Sequence, residues 1–155
     1  MSIFYDLGID CGLSEDKAEQ IYQYFEGLVL HIDAVQPVEL SLEKKCQDEL
    51  WFVSVHPVGM VQSTFHPVRP ELLEEDNMKA VERELLKHLQ NLDGYRRARF
   101  GAEVSDILWW AGSDEAGDID YLGMVFQADL FQPLPSGLQT EPFTPGYERV
   151  VRTAE

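Results

Sequence analysis

The sequence predicts an α+β domain: a mainly antiparallel sheet of five or six strands with two helices packed on one of its faces. Three observations carry that expectation. Two segments place apolar residues three and four apart, and several short runs either alternate or stay apolar between turn residues. Their order is helix, strands, helix, strands, without the regular strand–helix alternation of a parallel sheet.

The first helix is expected from Glu15 to about residue 33. Ser14 is placed to cap it, Glu15 and Asp16 complement the dipole in its first turn, and Ala18, Ile21, Tyr22, Phe25, Leu28, Val29 and Ile32 form its apolar stripe. Gly27 weakens the middle by up to about 1 kcal/mol relative to alanine, so the helix either continues or gives way there to an extended Leu28–Ile32. After Pro37, Val38–Leu42 alternates as a half-buried strand does, and a polar loop is expected over Glu43–Glu49. Leu50–Val55 reads as a stronger strand, with a turn at His56–Gly59 and Met60–Phe65 as the returning arm of a hairpin.

Pro67 and Pro70 bracket a stiff connection, and Pro70–Glu75 reads as a turn. The second helix follows, with Asp76 as its cap, Met78, Val81, Leu85, Leu89 and Leu92 on its buried side, and Gly94 as its terminator. From Tyr95 alternation returns, setting Ala98, Phe100, Ala102 and Val104 against Arg97, Arg99 and Glu103. Ile107–Trp110 and the run Tyr121–Leu130 extend the sheet on either side of an acidic loop at 112–120. The Pro/Gly-rich stretch 132–146 is expected to wrap the surface, closed by a short strand at Tyr147–Val151.

All 155 residues fit one domain. Apolar residues make up 45% and aromatic residues 11%, enough for a continuous core despite a formal charge of −16 from 28 acidic and 12 basic residues. That field repels phosphate backbones and anionic headgroups, so neither nucleic acid nor membrane is an expected partner; a basic protein is. The first residues lack the pattern of an export signal, and no apolar run is long enough to span a bilayer. Cys11 and Cys46 are isolated, which fits free thiols in a cytoplasmic protein.

No glycine-rich nucleotide loop, serine elbow or zinc-helix motif is present. His56 and His66 fall at opposite ends of the expected hairpin, so a metal site is not expected from them, and Asp114–Asp120 lacks the ligand order of a calcium loop. No cofactor is expected. Arg96, Arg97 and Arg99 form the densest basic cluster and are expected to pair with acids on neighbouring strands. Trp109 and Trp110, next to Asp114, Glu115, Asp118 and Asp120, combine an aromatic anchor with an acidic rim and are the expected partner-binding residues. The leading expectation is a small acidic protein-binding domain, an immunity-protein or antitoxin-like inhibitor of a basic partner, rather than an enzyme. One alternative is a small enzyme or ligand-binding domain with a site assembled from histidine, arginine and acidic residues such as His56, His66, Arg97 and Arg99. Another is a homo-oligomeric structural protein, a homodimer in its simplest form.

Overall fold

In the structure, a computed structural model that describes residues 2–104, 122–130, 134 and 136–153, nine strands join in one antiparallel sheet. The elements run β1 (Ile3–Gly12), α1 (Glu15–Phe25), β2 (Val29–Leu30), β3 (Val38–Gln47), β4 (Leu50–Pro57), β5 (Val61–Gln62), α2 (Glu75–Leu89), β6 (Arg97–Ala102), β7 (Val125–Gln127), β8 (Leu138–Thr144) and β9 (Tyr147–Arg152). Spatial order is β2-β3-β4-β1-β6-β7-β9-β8, and β5 pairs with the first residues of β1. The α+β class and the antiparallel sheet stand as expected from the sequence, but five or six strands was too few.

The largest addition is β1, which the sequence does not announce as a strand and which lies at the sheet's centre. It pairs with β4 through Leu7↔Val55 and Ile9↔Val53, and with β6 through Leu7↔Phe100 and Ile9↔Ala98. Strand alternation sends Leu7, Ile9 and Cys11 to one face and Asp6 and Asp10 to the other. The first face meets Ala18, Ile21 and Phe25 of α1 and Val81, Leu85 and Leu89 of α2 in the main core. A smaller cluster of Phe52, Val104, Met124, Phe126 and Val150 is separate from it.

Several local expectations are corrected. The first helix takes the shorter of its two expected courses and stops at Phe25: Glu26 is already extended, Gly27 takes φ 77°, and Val29–Leu30 becomes a strand. Glu43–Gln47 is not a loop but the second half of β3. The chain reverses in the two residues Asp48 and Glu49, both at positive φ, with Gln47 opposite Leu50. This two-residue turn has the backbone of a primed hairpin turn without its usual glycine, so its sequence did not announce it. The expected hairpin of Leu50–Val55 with Met60–Phe65 does not form. Only Val61–Gln62 is a strand, and it pairs with β1.

Asp76 lies within the first turn of α2, whose cap position is Glu74 after a short 3-10 turn at Pro70–Leu73. Leu138–Thr144, inside the stretch expected to wrap the surface, forms a hairpin with β9. Of the expected run Tyr121–Leu130, the described residues 122–130 form a strand only at Val125–Gln127. Ile107–Trp110 and the acidic loop at 112–120 lie outside the described residues. Cys11 is buried and Cys46 exposed, and both are free. Among the described residues no helix is long and apolar enough to cross a membrane.

Candidate functional site

The sheet face turned away from the helices carries two buried carboxylates. Asp10 is fully buried; it accepts from Arg97 Nε at 2.9 Å and from the Gly12 N–H at 2.8 Å, with Arg96 Nη2 at 3.6 Å. Asp6, 6% exposed, accepts from Ser54 Oγ at 2.8 Å and from the Val104 N–H at 2.9 Å. A buried carboxylate is tolerated only when its lone pairs are met in this way. These bonds position the polar centre of the sheet.

Beside Asp6 a cavity of about 280 Å³ opens over β1, β3 and β4. Asp6, Glu43 and Glu103 give it three carboxylates against the single ammonium of Lys45, with Ser41, Ser54 and His56 as its other polar groups. Glu103, at φ 54°, is fixed from both ends: its N–H donates to the Phe4 carbonyl at 2.8 Å, and its Oε1 accepts the Phe4 N–H at 3.0 Å. Glu43 pairs with Lys45 at 3.1 Å. His56 Nδ1 lies 2.7 Å from the Tyr5 carbonyl. A carbonyl only accepts, so Nδ1 carries a proton and donates it there. The arrangement therefore offers a cation or hydrogen-bond donor several acceptors within a small volume.

His56 and His66 come closer together than the expected hairpin allowed, because that hairpin is absent. Each meets an edge of the Phe4 ring with centroids 5.2 Å apart. His66 then turns outward to Ser2 and Ser63, each 3.1 Å from its Nδ1, and does not line the cavity. Arg97 is taken up by Asp10 on the neighbouring strand, and Arg99 Nε donates to the Leu122 carbonyl at 3.0 Å. The histidine–arginine set of the alternative reading is thus divided among three places. His88 lies 3.0 Å from the Tyr24 hydroxyl, packed between the two helices. Among the described residues no three histidine, cysteine or carboxylate side chains are placed so that they could hold one metal ion, those of the cavity included.

Trp109, Trp110, Asp114, Glu115, Asp118 and Asp120 all lie outside the described residues. The residues at either end of that segment are described, and both attach to the polar face: Val104 through Asp6 and Leu122 through Arg99. Asp6, Asp10 and Ser54 carry no motif that marks them in the sequence, and neither does Glu103. The alternation Leu7, Ile9, Cys11 was the available sign for β1, masked by two aspartates and a glycine on its other side.

Two shifts in proton affinity follow from the core rather than the cavity. Burial, reinforced by the neighbouring Asp10 charge, pushes the Cys11 thiol up to about 12. Burial also raises Tyr95 and Tyr147, whose rings stack at 4.3 Å while the Tyr147 hydroxyl donates to the Tyr95 carbonyl at 2.7 Å.

No protein-family model, curated protein or solved structure matches this chain.

Proposed function

We propose that the chain is a small acidic protein-binding domain, of the immunity-protein or antitoxin kind, that captures a basic protein. In this reading the carboxylate-lined cavity on the face away from the helices receives a lysine or arginine side chain of the partner. The cavity is the observation that carries it. At about 280 Å³ it falls just below the range of drug-sized ligand sites, a scale suited to one side chain, and its three carboxylates outnumber its one ammonium. A charge of −16 would speed encounter with a basic surface, and a buried cation would find acceptors to replace its water. Two free cysteines fit a reducing, cytoplasmic setting.

The homo-oligomer draws less support at the β8 edge, which carries Pro142 and an irregular register next to it; at the other edge β2 covers only Val38 and Glu39 of the ten-residue β3.

The test is capture from the source cell's lysate at low and high salt, followed by binding measurements on the purified partner. A basic protein released by salt, with affinity lowered at least tenfold by Glu43→Lys, is the expected result. Asp114→Lys with Glu115→Lys, measured in parallel, reports whether the acidic segment shares the interface. Retention of no basic protein, or a partner indifferent to all three changes, overturns the reading.

A further inference from the structure

Twelve lysines and arginines serve this acidic chain, yet four of them, Lys79, Arg83, Lys87 and Arg149, line a single groove of about 380 Å³. The groove runs between α2 and the β8–β9 hairpin, far in character from the acidic cavity. Residues 79, 83 and 87 are four apart, so they form one row along the helix, with a rise of about 6 Å per step. Arg149 of β9 stands across from them, directly opposite Glu141 of β8 in the strand register. Two acids, Glu82 and Glu141, line the groove, and Glu75 and Glu84 pair with Lys79 and Lys87. The groove thus gathers a third of the cations of a chain of charge −16.

The cations are not locked in place. Lys79 pairs with Glu75 and Lys87 with Glu84, each at 2.9 Å, but the two lysines remain more than 60% exposed. Exposed pairs of this kind exchange readily for another carboxylate. Arg149 Nη2 is 3.5 Å from Glu82, and Arg83 makes no ion pair among the described residues.

We infer that this groove binds an extended acidic peptide, a segment of a partner protein with carboxylates at alternate positions. An extended chain returns a side chain to the same side every two residues, about 6.7 Å apart, close to the step of the cationic row. The groove has a floor for such a chain in Phe143 of β8, the outermost strand, and Gln90 Nε2 reaches the Phe143 carbonyl at 3.4 Å to tie the helix end to it. Single-stranded nucleic acid is the less favoured occupant. Phe143 is the one aromatic residue lining the groove, where base stacking calls for a succession. The inference uses a different face and the opposite charge from the proposed capture of a basic protein, so either can fail without the other.

The experiment is fluorescence anisotropy with a fluorescein-labelled decapeptide of alternating glutamate and threonine, against the same peptide with glutamine for glutamate. The glutamate peptide is expected to bind and the glutamine peptide not to. Arg83→Gln with Lys87→Gln, both at exposed helix positions, is expected to weaken binding about five- to tenfold while keeping the wild-type melting temperature. Glu43→Lys is expected to leave it unchanged. Equal binding of the two peptides, no loss in the Arg83/Lys87 variant, or tighter binding of oligothymidylate than of the glutamate peptide overturns the inference.

Discussion

Arg97→Met tests whether the polar centre of the sheet is held by charge pairing. Asp10 is fully buried, and the side chain of Arg97 is only 14% exposed, so the 2.9 Å contact between Nε and Oδ2 is sheltered from water. Removing one member of a buried pair strands the other charge, at a cost of about 3–5 kcal/mol. Arg96, 3.6 Å from the same oxygen and 37% exposed, remains to compensate in part, which puts the expected loss near the lower bound, about 3 kcal/mol. With a urea dependence of about 2–3 kcal/mol per molar, the unfolding midpoint should fall by about 1–1.5 M. Intrinsic tryptophan fluorescence in a urea series reads it directly. The second arm is Asp10→Asn in the Arg97→Met background. Asparagine keeps an acceptor for the Gly12 N–H, now bonded at 2.8 Å, and removes the stranded charge, so the double variant should recover at least about 1 kcal/mol. A loss below about 1 kcal/mol for Arg97→Met, or a double variant less stable than the single one, would refute the reasoning.

Two further outcomes follow from burial in the core. With the Cys11 thiol near 12, its thiolate at pH 8 is about one part in ten thousand, whereas Cys46 is exposed. A disulfide reagent at pH 8 should therefore titrate one thiol per native chain and two after denaturation; two fast thiols in the native state would contradict the buried placement. Tyr95 and Tyr147 are raised when folded, so the stability they contribute is full below the ordinary tyrosine range near pH 10 and is lost as pH rises above it. In an alkaline titration followed at 295 nm, two of the six tyrosines should ionise only together with the loss of native circular dichroism. Full ionisation before unfolding would count against the stacked, buried pair.

What the sequence revealed depended on whether a segment's pattern had one cause. α1 was legible because capping, dipole and apolar spacing agreed; α2 was legible from its apolar spacing, despite the misplaced cap, and Val81, Leu85 and Leu89 are buried as that spacing required. β6 was legible for the same reason, with Ala98 and Phe100 turned inward. β1 was not, because a central strand that carries Asp6 and Asp10 on one face looks polar unless the strands supplying Ser54 and Arg97 are already known. The Asp48–Glu49 reversal and the β8 strand were hidden similarly, by residues that do not advertise positive φ or pairing. The acidic cavity inherits this difficulty. Its carboxylates come from residues 6, 43 and 103, which only the sheet register brings together.

The central place of β1 also sets the timetable of assembly. The strand is made before its partners: the Phe4 N–H waits for Glu103, 99 residues later, and Asp6 for the Val104 N–H, 98 residues later. β4 and β5 precede β6 and can pair with β1 first, but the edge of β1 that takes β6 stays open to wrong partners until β6 emerges, and β7-β9-β8 join the sheet only through β6. Such long-range closure makes folding slow, on the order of milliseconds to seconds. It also makes the amides of β1 the last to exchange with solvent, since releasing them divides the sheet in two.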